Sequence, residues 1–146
     1  MTKNLTFKKS RLPLETNWTW NNPVIVMQRV IVDACGWVAV IEAGINIDQA
    51  LMEAFGSKDL ALVPKVLEEL ESLNDKKLMI PMLISKSESF IPSNVDSKHT
   101  DDLLFALSIE KGWPVLTVDT QLKRRLSQAN QPWIEVIGNS HLRFVN

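Results

Sequence analysis

A chain of 146 residues, 45% hydrophobic and 23% charged, has the size and balance of one globular domain that needs neither disulfides nor structural metals to bury a core. Sixteen Lys and Arg against seventeen Asp and Glu leave a formal charge of −1, so a polyanionic partner would have to be met by local basic groups rather than by the net charge. The single cysteine and two histidines exclude an internal disulfide and a typical structural zinc site. No apolar run reaches the roughly 18 residues that span a bilayer, and the start lacks a signal-peptide core, so the expected location is the cytoplasm.

Residues 1–23 are polar and aperiodic, with Pro13, Pro23 and the pair Asn21 and Asn22. They are expected to form an N-terminal extension to a domain at 24–146, with Trp18 and Trp20 as anchors and Lys8, Lys9 and Arg11 as a basic group. The run VIVD that follows predicts a short buried strand ending at Asp33. Gly36, Gly44 and Gly56 punctuate the next stretch, in which 47–55 has helical spacing through Ile47, Ala50, Leu51 and Phe55. A second strand, 60–63, is stopped by Pro64, which suits the first turn of a helix. Val66, Leu67, Leu70 and Leu73 give that helix an apolar stripe.

Residues 76–98 carry the weakest pattern: an apolar run broken by Pro81, a short strand at Phe90 and Ile91, then a polar loop. Thr100 reads as the N-cap of a helix that has Asp101 and Asp102 in its first turn and ends at Gly112. A strand at 115–118 leads into Asp119. Residues 120–130 form an amphipathic helix with Leu122 and Leu126 inward and Lys123, Arg124 and Arg125 outward, and 134–137 is a last strand. Strands alternating with helices predict an α/β fold with a parallel central sheet and helices on both faces. Ligands of such sheets bind beyond the carboxyl ends of the strands.

Asp33 and Asp119 end predicted strands, while Glu69 and Asp101 lie in the helices that follow other strands. A parallel sheet gathers such positions on one edge. Carboxylates gathered there repel one another. A divalent cation relieves the repulsion, and hard oxygen donors favour Mg²⁺ or Mn²⁺ over zinc. Such a metal activates water and steadies charge on a phosphoryl oxygen.

The order and setting of these acids resemble the PIN-domain nucleases, including the VapC-like and archaeal ribosome-processing branches. Four motifs carry the resemblance: VIVDA with Asp33, VPKVLEELESL with Glu69, HTDDLLFALS with Asp101, and VLTVDTQLKRRL with Asp119 and, two residues earlier, Thr117. The resemblance implies a three-layer α/β/α fold with a central parallel sheet, metal-dependent cleavage of RNA and, often, a homodimer. A toxin-type member would also have an antitoxin protein as partner. It implies that Asp33, Asp101 and Asp119 hold Mg²⁺ or Mn²⁺, that Glu69 is a ligand or orients the attacking water, and that Thr117 supports the fourth acid by hydrogen bonding. Asp102 would assist the set.

Each residue also has a plainer reading. Helical geometry does not choose between Glu69 and Glu71, which both flank the apolar stripe. Asp101 and Asp102 suit a helix N-terminus for electrostatic reasons alone, and Asp119 could be only an N-cap. Lys123, Arg124 and Arg125 could meet phosphates or form a solvated face. His99 fits a surface loop, and Cys35 fits the core. A non-catalytic RNA-binding module on the same fold is the rival reading. A phosphatase is disfavoured because Cys35 stands where Asp-x-Asp needs its second aspartate, and a receiver domain because paired early acids and a late lysine are missing.

Overall fold

A computed structural model describes residues 16–18, 23–25, 27–138 and 140–146. Two short strands, β1 (Thr16–Trp18) and β2 (Pro23–Ile25), pair antiparallel with Thr16 opposite Ile25. Most of the expected extension, including Trp20, Lys8, Lys9 and Arg11, lies outside the described residues, as does the side chain of Trp18.

The rest alternates as the sequence predicts. Strand β3 (Val30–Val32) is followed by α1 (Ala34–Glu42), α2 (Ile47–Ala54), β4 (Leu60–Leu62) and α3 (Pro64–Ser72). After a 3-10 turn (Lys76–Leu78) come α4 (Ile80–Lys86), β5 (Ser87–Ser89), α5 (Thr100–Lys111), β6 (Val115–Leu116), α6 (Thr120–Gln128), β7 (Trp133–Ile137) and β8 (His141–Val145). The strands form one six-stranded sheet in the order β5-β4-β3-β6-β7-β8. Every pair is parallel except β7 with β8.

The chain moves outward from β3 to β4 and β5, then crosses back to β6 and moves the other way. With right-handed crossovers this reversal puts α1–α4 on one face and α5 and α6 on the other; α1 packs on α3, and α5 on α6. The three central strands, VIV, LAL and VL, are fully covered, which is why they read as unbroken apolar runs rather than alternating ones. Among the described residues no helix is long and apolar enough to cross a membrane.

Helix α1 was not legible in the sequence, and Gly36 is the reason. A Cβ on Gly36 would lie 2.2 Å from the Leu116 carbonyl oxygen, so the glycine marks a close approach of the helix to β6, not a turn. Trp37, fully buried, anchors the same helix through a 2.7 Å hydrogen bond from Nε1 to the Leu78 carbonyl. Helix α4 was hidden by Pro81, which occupies its first turn, where a missing N–H costs nothing.

The outer strand on this side is Ser87–Ser89, not Phe90 and Ile91, although the Phe90 amide still donates to the Leu62 carbonyl at 3.1 Å. A further strand, β8, closes the far edge. The cap of α5 is His99, and Thr100 is already helical. The expectation that Thr100 caps the helix is therefore corrected: its hydroxyl is directed elsewhere.

On β7, Glu135 is 8% exposed and accepts from Lys123 Nζ at 2.9 Å, Trp133 Nε1 at 2.9 Å and Arg143 Nη2. Burial would raise its carboxyl, but these three donors outweigh burial and hold it at about 2. The cluster fastens α6 to the β7–β8 hairpin.

Two tests follow from this packing. Gly36→Ala should lower the free energy of unfolding by about 3 kcal/mol, the upper part of the overpacking range, because its new contact is backbone; urea titration measures it. Because the Glu135 carboxyl is depressed in the folded state, its contribution is present above its ordinary value of 4.5 and fades as pH falls toward about 2. Glu135→Gln should cost on the order of 1–2 kcal/mol at neutral pH after solvent screening. That deficit should shrink across the acid window when wild type and variant are melted side by side.

Candidate metal centre

The site begins with strand register. Val32 lies opposite Leu116 in the parallel β3–β6 pair, so the next residues, Asp33 and Thr117, are lateral neighbours just past the strand ends. The ladder continues through them: the Asp33 amide donates to the Leu116 carbonyl at 3.0 Å, and the Thr117 amide to the Ile134 carbonyl at 3.1 Å. The pair sits where the strand order reverses, the crevice in which open α/β sheets bind ligands.

Asp33 is 6% exposed. It occupies the N-cap position of α1 but makes no side-chain capping hydrogen bond. The Thr117 hydroxyl donates to Asp33 Oδ2 at 2.7 Å, and the Cys35 thiol donates to the same oxygen at 3.1 Å. Burial nevertheless raises the Asp33 carboxyl above its ordinary range, against the lowering effect of those two donors, and the charge of Asp119 adds to the rise. Burial and the Asp33 charge together push the Cys35 thiol up to about 11. Cys35 is therefore a neutral donor and not a thiolate nucleophile.

Thr117 also accepts from the Asp119 amide at 3.1 Å. The expected support of the fourth acid is thus made to its backbone, while the hydroxyl proton goes to the first acid. Asp119 is an N-cap as well: its Oδ1 accepts from the amides of Gln121 at 2.8 Å and Leu122 at 3.2 Å. Among the described residues no hydrogen-bond donor reaches its Oδ2.

Asp101, in the first turn of α5, is half-buried. Burial raises its carboxyl, and the charges of Asp119, Asp33 and Glu69 raise it further, while Arg125 pulls it down. The charges of these three acids are thus within electrostatic reach of Asp101. Glu69 Oε2 accepts from the Thr100 hydroxyl at 2.5 Å. This contact separates Glu69 from its exposed neighbour Glu71, which helical geometry alone did not do.

Asp102 faces a different environment. Ser97 Oγ donates to it at 2.7 Å and Arg125 Nη1 at 2.8 Å, and both lower its carboxyl. The Arg125 guanidinium also lies 4.4 Å from the centre of the Phe105 ring. Of the three basic residues expected to meet nucleic acid, Lys123 is paired with Glu135 and Arg125 with Asp102. Arg124 is exposed. His99 is exposed and contributes only its backbone at the α5 cap. Two residues that the sequence reading left out of the site, Cys35 and Thr100, make direct hydrogen bonds to its acids. Their only sequence signal is position: Cys35 is in the first turn after Asp33, and Thr100 adjoins Asp101.

Among the described residues no three His, Cys, Asp or Glu side chains form a ready-made metal cage. The donor chemistry still fits a hydrated hard cation. Mg²⁺ keeps several waters and takes only one or two carboxylates directly. Asp33 and Asp101 are carboxyls whose charged forms lack a paired cation, and the uncommitted Asp119 oxygen adds a third donor.

A scan against family models matches residues 30–139 to the PIN like domain, a span that takes in all four acids. A search of curated protein sequences gave no match. Among solved structures, that of the PIN domain endonuclease Utp24 aligns with a TM-score of 0.67 at 22% identity, over 80% of this chain and 90% of the other. At that identity the likeness concerns the fold. With the family model covering most of its length, the chain belongs to the PIN-like domain family.

Proposed function

We propose that the protein is an endoribonuclease that uses Mg²⁺ or Mn²⁺ to hydrolyse RNA phosphodiester bonds. The observation that carries this reading is the group Asp33, Glu69, Asp101 and Asp119. They come from four separate segments, and the charges of Asp33, Glu69 and Asp119 all act on Asp101. The hydrogen-bond partners of Asp33, Glu69 and Asp119 are hydroxyls, a thiol and backbone amides, with no ion pair among the described residues. The similar fold of the endonuclease Utp24 supports it.

In this reading Asp33, Asp101 and Asp119 hold the cation, directly or through its waters. Bound there, the cation would lower the pKa of water and offset charge on the phosphoryl group. Thr117 and Cys35 fix Asp33 Oδ2, which limits the rotation of that carboxylate. Glu69, gripped by Thr100, would hold a water of the same cation and orient it for attack. Hydrolysis breaks the P–O3′ bond and leaves 5′-phosphate and 3′-hydroxyl ends. Arg124, and Arg125 if it exchanges Asp102 for a phosphate, would contact the RNA backbone.

A second reading, an RNA-binding module without turnover, is favoured by one observation: no three of the acids form a closed cage. Labelled RNA distinguishes the two. Wild-type protein with Mn²⁺ should cleave, EDTA should stop cleavage, and Asp33→Asn should lower the rate by on the order of 100-fold or more. Cleavage unaffected by either change would mark a contaminant and remove the nuclease reading. Retained RNA binding with no products would favour the module.

Stability provides a separate check. The Asp33 carboxyl is raised in the folded state, so it favours folding most in acid and that contribution is lost as pH rises through its folded value. Above that value the metal-free protein carries an unfavourable buried charge. Metal-free Asp33→Asn should melt no earlier than wild type at pH 7. Mn²⁺ should raise the wild-type midpoint by mass action and leave that of the variant nearly unchanged. Scanning fluorimetry with and without Mn²⁺ reads both.

A further inference from the structure

Thr100 has the composition signal of a helix cap and does not act as one. The backbone of His99 fills the cap position, without a side-chain hydrogen bond, and Thr100 is the first helical residue of α5. Its side chain is 9% exposed. Its hydroxyl reaches across to the second turn of α3, thirty-one residues earlier, and donates to Glu69 Oε2 at 2.5 Å. That distance is at the short end of the range for an O–H···O hydrogen bond.

The contact has consequences beyond local packing. Glu69 is an exposed side chain on a helix surface, with three rotatable bonds to order, and among the described residues no cation holds it. Asp101 is adjacent to Thr100 in the first turn of α5, so the same contact brings Glu69 up to the residue beside Asp101, and like charges so placed repel. A hydroxyl on the backbone residue next to Asp101 ties the glutamate into the group that repels it. It does so without adding a positive charge that would compete with a cation.

We propose that Thr100 is a positioning residue, whose hydroxyl holds the Glu69 carboxylate in fixed relation to Asp101 so that both serve the same divalent cation. The inference rests on the metal-dependent nuclease reading, but its test does not depend on turnover alone. Groups that orient a metal's ligands typically change affinity or activity by about 10- to 100-fold when removed.

The experiment compares wild type, Thr100→Val and Thr100→Ser. Val keeps the shape and removes the donor; Ser keeps the donor. Mn²⁺ affinity is read by the loss of the free-ion paramagnetic resonance signal, RNA cleavage by kcat and KM separately, and folding by thermal melting. Thr100→Val should weaken Mn²⁺ binding about 10-fold and lower kcat by about 10- to 100-fold, with KM for RNA within about threefold. Thr100→Ser should restore both to within about threefold of wild type. In a Glu69→Gln background, Thr100→Val should add little further loss.

Equal Mn²⁺ affinity in wild type and a folded Thr100→Val would overturn the proposal. So would a folded Thr100→Ser as impaired as the valine variant, or full additivity in the Glu69→Gln background. If Thr100→Val does not fold, the affinity of Thr100→Ser against that of Glu69→Gln decides: serine must bind as wild type and glutamine must not. A wild type that binds Mn²⁺ but cleaves no RNA ends the nuclease reading, while the affinity series still judges Thr100. A wild type that does not bind Mn²⁺ overturns both.

Discussion

The alignment of two parallel strands, β3 and β6, governs the site. With Val32 opposite Leu116, Asp33 falls beside Thr117, and one hydroxyl can donate to the first acid while accepting from the backbone of the fourth. Successive strand residues point to opposite faces, so a slip of one position would turn Thr117 away and present Leu116 or Val118 instead. The register is set by the apolar residues VIV and VL, both completely buried. The glycine that follows lets α1 settle onto the Leu116 carbonyl without a Cβ in the way. Ordinary core packing thus fixes a polar contact that packing alone would not select.

Two classes of carboxylate emerge from the geometry. Asp48, Glu88, Asp102 and Glu135 are paired with Lys86, Arg29, Arg125 and Lys123 with Arg143, respectively. These acids brace the fold, and where their carboxyls move they move downward. Asp33, Glu69, Asp101 and Asp119 have no such partner among the described residues, and where their carboxyls move they move upward. Clustered like charges and partial burial oppose folding. Acids left in that state are a feature that a stabilising design would remove, which supports the chemical role proposed for them.

The sequence disclosed the elements whose signals are local. The buried strands, the proline-started α3, the α5 that ends at Gly112 and the amphipathic α6 all announced themselves through composition and period. What it concealed depended on distant neighbours. Gly36 looked like a breaker because the Leu116 carbonyl that requires it is eighty residues away in the chain. Pro81 masked α4, although the first turn tolerates it, and the residue before that helix, Met79, takes a left-handed conformation (φ 54°) that no side-chain pattern foretells. Asp33, Asp101 and Asp119 stood out because each sits at a strand end or a helix start, whereas Glu69, inside α3, was singled out only by the family resemblance. Their partners were not legible: Glu69 and Glu71 are equivalent on a helical wheel, and the Thr100 hydroxyl that pairs with Glu69 comes from a distant segment. Lys123 and Arg125 looked free for phosphate until Glu135 and Asp102, brought up by other elements, claimed them.

In the proposed metal-dependent reading, Cys35 shows how the donors around Asp33 are limited by what the site must do. A lysine or arginine there would stabilise the Asp33 charge more strongly than a thiol and would lower its carboxyl, as Arg125 does for Asp102. It would also place a fixed positive charge where a divalent cation has to approach, and repulsion at contact distance in a partly buried site amounts to several kcal/mol. A thiol raised to about 11 stays neutral at physiological pH, donates one weak hydrogen bond and adds no field of its own. Thr117 and Thr100 obey the same restriction with hydroxyls. The acids are therefore oriented by groups that hold their oxygens without neutralising their charge, which in the proposed reading leaves that task to a divalent cation.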